Sequence, residues 1–269
     1  MDAFHKPLMV LCIVALLPAA VPAAPRCVAC HPAHCADRGP CTGCHRGDER
    51  TDRRNIAHRD LIPAAYSWFT LPDSPVVRRG GDRIEASFCR RCHTWRGEGN
   101  GLAANLDDLL AVSAPQKIHD AIRTPVAYMP DFGFGDTQIR EIVNAILAAG
   151  ARRGTPPGVE IPVVVHFEDP DDRTDLLFPK ACGPCHRILS DAGGGLGSGA
   201  IGPNLSGLLT RHYPKTFGGR ETWTRDRLKK WLKNPRGVKP AASMPPVPLS
   251  PEQVDALAGL MAAPRGRAR

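Results

Sequence analysis

No stretch of this 269-residue chain stays apolar long enough to cross a membrane as a helix. The longest run, Leu8 through Leu17, falls short of the ~20 residues a span requires. Aromatic residues make up only 6% of the chain, a thin supply for a length that suits two or three small domains. Methionine is scarce as well, and beyond the N-terminal apolar run only Met129, Met244 and Met261 remain. Cysteine is plentiful but not free to build a disulfide framework. Of ten cysteines, eight fall in repeated copies of one pattern, Cys12 lies in the apolar run, and Cys35 alone is left over. Acidic residues are outnumbered, 27 against 35 Lys and Arg, for a formal charge of +8. No nucleic-acid-binding motif accompanies that charge, so no nucleic-acid partner is expected.

The N-terminus reads as an address. Lys6 precedes the apolar run, Pro18 breaks it, and Val21-Pro22-Ala23 fits a small-x-small cleavage site. Residues 1–23 are therefore expected to be a signal peptide, with Ala24 the first mature residue and a periplasmic or otherwise exported, bacterial-type location. The alternative is an uncleaved N-terminal anchor, the one case in which membrane association is expected. No small-residue triplet of the lipobox kind precedes Cys12 or Cys27, which argues against a lipid anchor.

The repeated pattern is C-x-x-C-H. It occurs at Cys27–His31 (CVACH), Cys41–His45 (CTGCH), Cys89–His93 (CRRCH) and Cys182–His186 (CGPCH). Ten Cys and ten His placed at random would give roughly 0.01 such patterns in this length. C-x-x-C-H is the attachment signal for a c-type haem. Two thiols three positions apart reach the two vinyl groups on one porphyrin edge and form thioethers, and the following imidazole ligates the iron. The rival is zinc held by paired C-x-x-C units, but zinc needs no His after each pair, and all four copies have one. The expectation is four covalent haem c groups, on Cys27 and Cys30, Cys41 and Cys44, Cys89 and Cys92, and Cys182 and Cys185. The porphyrin faces would supply the apolar core that the composition lacks, and their propionates would offset roughly eight positive charges. Export suits this reading, because c-type attachment takes place outside the cytoplasm. Cys35 is expected to be a small buried residue beside a haem, rather than a reactive thiol.

Residues 24–75 carry two motifs fourteen residues apart and no period long enough to build a core. So short a segment must wrap around neighbouring haems. Its proximal ligands are His31 and His45. Two more histidines, His34 and His58, lie in it and no Met does, so both irons are expected to be bis-His. Which distal His serves which iron stays open. The segment resembles small multihaem cytochromes with bis-His ligation.

Pro72–Pro75 reads as a linker. In residues 76–150, Ile139, Ile142, Val143, Ile146 and Leu147 repeat as one helix face, with Asp136 to cap its start and Gly150 to end it. Residues 151–180 read as linker and lead-in, with Val163–Phe167 extended and a helical turn in Asp171–Phe178. In 181–269 a helix carrying Trp223 and Trp231 is followed by Met244-Pro245 and then by Ser250-Pro251-Glu252-Gln253, a helix start with Val254, Leu257, Ala258 and Met261 on its buried stripe.

The order C-x-x-C-H, G-x-G-N-G, N-L, M-P and a terminal amphipathic helix in 76–150, and ACGPCH, AIGPNLSGLL, SMPP and a terminal helix in 181–269, resembles the class I cytochrome c domain twice over. The fold class expected is mainly α: two small class I cytochrome c-like helical domains after an irregular haem-wrapped N-terminal segment. The resemblance implies His93 proximal with Met129 distal, and His186 proximal with Met244 distal. It also implies that the carbonyls of Ala104 and Pro203, each before an N-L pair, accept the other ring N–H of the proximal histidine and raise its basicity. His119, His166 and His212 are expected at the surface or in caps.

His/Met ligation raises a haem potential relative to bis-His ligation, so electrons are expected to run from residues 24–75 toward 181–262. Six-coordinate irons leave no open site for substrate, which points to an electron-transfer protein and not an enzyme. The partners expected are redox proteins, a membrane oxidoreductase among them, drawn to the Lys and Arg cluster between Lys215 and Lys239. The rival readings are a haem enzyme of peroxidase or reductase type with one labile distal ligand, and an electron-entry subunit of a larger respiratory oxidoreductase.

Overall fold

The computed structural model describes residues 26–126, 128–153 and 177–262. The expected signal peptide, Val163–Phe167, His166 and most of Asp171–Phe178 lie outside the described residues. The described part is mainly helical, and its only sheets are two short antiparallel ribbons.

Residues 26–61 contain no buried residue among those described. Its regular structure is short: 3-10 turns at Arg26–Ala29 and Ala36–Arg38, helix α1 (Cys41–His45) and a single α-helical turn at Arg54–Ala57. A segment whose side chains are at most half-buried gains little hydrophobic free energy from them. Its shape needs a partner to pack on.

Burial begins at Ile62. Ile62 and Tyr66, assigned above to the N-terminal segment, join Ile84, Trp95, Leu106, Ile118 and Ile142 in one core. The supposed linker Pro72–Pro75 is a turn that starts α2 (Pro75–Ala86), with Pro75 in its first turn, where a missing N–H costs nothing. Helix α2 lies directly against α4 (Asp136–Arg153), and α3 (Pro115–Arg123), which falls between them in sequence, packs on α4 as well. The close crossing of α2 and α4 depends on Gly80, where an added Cβ would overlap the Glu141 carbonyl. Glu141 is buried there and its carboxylate accepts from the Nε–H of Arg79 at 2.5 Å and of Arg83 at 2.8 Å. The expected stripe of Ile139, Ile142, Val143, Ile146 and Leu147 is buried. Two details differ from expectation. Gly150 does not end α4, which runs on to Arg153; instead it lets the helix approach the Asp107 carbonyl. Asp136 sits in the first turn and pairs with Arg123, while the Gly135 carbonyl takes the first helical bond from the Ile139 N–H.

The second helical unit opens with α5 (Leu177–Ala181) and continues through α6 (Arg225–Lys233) to α7 (Pro251–Met261). Ser250 and Gln253 form a capping box at the start of α7, and Val254, Leu257, Ala258 and Met261 are buried. Trp223 precedes α6 rather than lying on it, because the Thr224 hydroxyl caps the helix from the Arg227 N–H.

Each unit carries one ribbon directly after its C-x-x-C-H. Strand β1 (Thr94–Trp95) pairs with β2 (Glu98–Gly99), and β3 (Ile188–Ser190) with β4 (Gly194–Leu196). Gly99, at φ 144°, and Gly197, at φ 78°, both lie so close to the carbonyl of the preceding motif histidine, His93 and His186, that a Cβ would overlap it. The ribbons bring the two units together. Cys92, Leu102 and Leu189 form a small buried cluster, Asn100 donates to Thr210 Oγ1 at 3.0 Å, and Asn204 donates to the Tyr128 carbonyl at 2.9 Å.

Candidate haem sites

Every C-x-x-C-H is a single helical turn. The histidine N–H donates to the first cysteine's carbonyl at 3.0 Å in His31, 2.9 Å in His93 and 2.8 Å in His186, and Cys41–His45 is α-helical. Residues three and four apart share a helix face, so both thiols and the imidazole of each motif are turned to one side. That is the arrangement a porphyrin edge and its iron require.

Three of the four motif histidines are oriented by a backbone carbonyl. His93 Nδ1–H donates to Ala104 O at 2.7 Å, His186 Nδ1–H to Pro203 O at 2.8 Å, and His45 Nδ1–H to Ile62 O at 3.0 Å. A carbonyl can only accept, so the proton sits on Nδ1 and Nε2 is the free lone pair. The asparagines of the N-L pairs aim two of them, those of Ala104 and Pro203. Asn105 Oδ1 accepts from the Asp107 N–H at 3.0 Å, and Asn204 Oδ1 from the Ser206 N–H at 2.9 Å, closing a turn just after the acceptor. Burial holds the His93 ring below its ordinary value, against the opposing pull of the Ala104 carbonyl, which keeps the imidazole neutral. A neutral imidazole with one committed N–H is a ready metal ligand.

In the first helical unit a cavity of about 210 Å³ is lined by Cys89, His93, Met129 and a ring of apolar side chains that includes Leu106, Ile118, Ile142 and Ile146. The structure thus brings His93 and Met129 to one apolar chamber. The residues fit a haem: an apolar wall, the Cys89 thiol at one edge, and a nitrogen and a thioether sulfur able to face a metal. In the second unit Cys182 and Met244 belong to one apolar cluster. His186 is buried, with Gly202 packed directly against its ring. Met244 Sδ accepts the Trp231 Nε1–H at 3.0 Å, and Trp231 is fixed in turn by an edge contact with Trp223.

In the N-terminal segment the four histidines meet in pairs. The rings of His31 and His58 lie 5.9 Å apart between centroids, and those of His34 and His45 5.8 Å apart. Cys27 lies against Cys41; burial, then the neighbouring Cys41 and Glu49, push the Cys27 thiol up.

Burial pushes the thiols of Cys89 and Cys182 up to about 11. Among the described residues no three His, Cys, Asp or Glu side chains gather as a zinc ion held by protein ligands alone would need.

Two expectations need correction. Cys35 is exposed, in a left-handed turn, because the segment around it buries nothing. His119 is buried, not at the surface: it packs on Tyr66 and faces Asp136 at 3.5 Å, on the side of α3 turned away from the cavity that Ile118, Ala121 and Ile122 line. His212 is half-buried beside Arg211. Sequence reasoning missed Ile62 as the acceptor for His45, since no motif marks it. It also missed Asn144, fully buried in α4, which holds the Phe69 N–H and the Ala65 carbonyl at 3.1 and 3.0 Å. A lone Asn on the apolar face of a helix was the available signal.

Motif turn, committed imidazole and apolar chamber around His93 are the features that a cytochrome c domain combines. Residues 75–144 match the family described as cytochrome C oxidase, cbb3-type, subunit III, a match that runs from the first residue of α2 into α4 and takes in both His93 and Met129. Such a domain holds haem c covalently and works in electron transfer. No curated protein and no solved structure matches the chain.

Proposed function

We propose that the chain is an exported tetrahaem c-type cytochrome. Electrons enter at two low-potential bis-His haems in residues 24–75 and pass through the His93/Met129 site to the His186/Met244 site. A redox protein partner takes them there. The observation that carries this reading is the fourfold recurrence of one helical turn presenting two thiols and an imidazole, with three of the imidazoles held by carbonyls. Haem supplies reversible one-electron chemistry, and the chain supplies its anchoring, ligands and surroundings. With both axial positions filled at every iron, no site remains for substrate. Lys230 and Lys233 project from α6 as exposed cations, and Lys229 is beside Asp255 at 4.0 Å, so this face suits an acidic partner.

The family description supports a second reading, an electron-entry subunit of a membrane oxidoreductase. No helix among the described residues is long and apolar enough to cross a membrane, so attachment would run through a partner or through the N-terminal segment. Co-purification with a membrane oxidase would favour it.

The test is intact-mass analysis of the exported protein together with a potentiometric titration followed by optical and electron paramagnetic resonance spectra. Four added haems and separated low and high waves are expected. Fewer haems, or four overlapping waves, overturn the tetrahaem reading or its ordering.

A further inference from the structure

The four histidines of residues 26–61 have no hydrophobic reason to meet. The segment buries nothing, and among the described residues the side chains of His31, His34 and His58 have ring contacts and no hydrogen bond. Yet they form two pairs with nearly equal spacing, 5.9 Å for His31 and His58 and 5.8 Å for His34 and His45. A coordinating imidazole nitrogen lies about 2 Å from its metal and the ring centre about 1 Å further, so two imidazoles on opposite sides of one iron stand about 6 Å apart. Direct stacking would bring the rings closer, and the observed planes are tilted by 50° and 77° instead.

We infer that the axial ligands are nested along the chain. His58 caps the iron of the Cys27–His31 haem, and His34 caps the iron of the Cys41–His45 haem. The inference rests on the proposed covalent haems at these two motifs. Chemically it says more than that both irons are bis-His. The inner pair closes the loop from residue 34 to 45, the outer pair closes the longer loop from 31 to 58, and Cys27 beside Cys41 brings the two attachment edges together. Two metal cross-links of this kind restrict the unfolded chain as disulfides do, which explains how a segment without a core holds a shape. His34 stands only three residues after His31, yet one helical turn ends between them: the cap of the first haem therefore comes from far along the chain and the cap of the second from nearby.

The test uses the full-length holoprotein and counts carbon monoxide bound per reduced chain, with high-spin signals in electron paramagnetic resonance as the second readout. In a Cys27→Ala/Cys30→Ala background, which lacks the first haem, His34→Ala should add one carbon monoxide site and one high-spin iron, and His58→Ala should add none. In a Cys41→Ala/Cys44→Ala background the result should reverse. The opposite assignment in either background overturns the nesting, and so does a gain from neither substitution. Haem counts by mass in each background show separately whether the covalent haems exist, so failure of the tetrahaem reading is distinguishable. If the alanine variants do not accumulate, His34→Met and His58→Met keep six ligands. Each should then add to the methionine–ferric haem charge-transfer band, above the intensity that the Met129 and Met244 sites already give, in only one background, and a gain in the other overturns the assignment.

Discussion

His45 and Ile62 exchange two hydrogen bonds: the His45 ring Nδ1–H donates to the Ile62 carbonyl at 3.0 Å, and the Ile62 N–H donates to the His45 carbonyl at 2.7 Å. Ile62 is also the first buried residue of the described chain, 2% exposed in the core around α4. One residue therefore orients the His45 imidazole in the coreless segment and anchors that segment to a folded unit. Ile62→Ala should cost about 2–4 kcal/mol, the usual loss for truncating a buried Ile. In urea titrations followed at the Soret band and by circular dichroism, the bis-His spectral change and the helical transition should move together to lower denaturant. If only the helical transition moves, the segment does not depend on this core.

Glu141 gives a pH dependence. Burial alone would raise its carboxyl, but the hydrogen bonds from Arg79 and Arg83 outweigh burial and hold it below its ordinary value of 4.5. A carboxyl depressed in the folded state contributes stability that is fully present above the unfolded value and disappears as pH falls through the folded one. Glu141→Gln should therefore be less stable than the parent at pH 7 by about 1–3 kcal/mol, and the gap should close in acid. A gap that is constant from pH 7 to pH 3 would assign the loss to packing instead.

The same crossing makes a steric prediction. At Gly80 a methyl group would overlap the Glu141 main-chain carbonyl, which cannot move without shifting α4. Gly80→Ala, a gain in helix propensity on an exposed helix, should here destabilise by about 1–3 kcal/mol. Thermal melting of the holoprotein would show it, and an unchanged or raised midpoint would contradict the packing described.

The contrast between Gly80 and Gly150 shows what was legible in the sequence. The stripe Ile139, Ile142, Val143, Ile146 and Leu147 announced α4, and S-P-E-Q announced the capping box of α7, because both signals are local. Gly150 looked like a helix end, and only the approach of the Asp107 carbonyl explains why a glycine stands inside the helix. Likewise the four motifs were plain from spacing, and the Ala104 and Pro203 carbonyls were legible through a family likeness. The Ile62 carbonyl and the pairing of the N-terminal histidines were not, since both depend on where a coreless chain returns upon itself. His119 was misplaced for the same reason: its burial comes from Tyr66, which sequence reasoning assigned to a different unit.

Trp231 should tune the potential of the last site. Its Nε1–H donates to Met244 Sδ at 3.0 Å, which draws electron density from the thioether and would make it a weaker donor to the iron it is proposed to ligate. Trp231→Phe keeps most of the apolar contact with Trp223 and removes the donor. The midpoint of the highest wave should fall by on the order of tens of millivolts, with the methionine ligand retained in the oxidised spectrum. An unchanged midpoint would mean that the hydrogen bond does not persist once the sulfur ligates.

Transfer between the two helical units should depend on their ribbon contact. Gly207, at φ 66°, packs against the Arg91 carbonyl and the Asn100 amide, and Asn100 in turn donates to Thr210. Arg91 also lies over the ring of Tyr213, whose hydroxyl donates to the Asn204 carbonyl beside the His186 acceptor. The contact therefore links the Cys92 side of one site to the Pro203 side of the other. Gly207→Val adds a branched side chain where the backbone is left-handed and the neighbouring surface is already in contact, so the units should separate locally without loss of either core. Because electron tunnelling falls steeply with distance, equilibration between the His93 and His186 sites after flash reduction should slow by an order of magnitude or more, while the static spectra of both sites stay as they were. If the rate is unchanged and the spectra hold, electrons do not cross at this contact. Altered spectra with a normal rate would show instead that Gly207 supports the His186 site and not the junction.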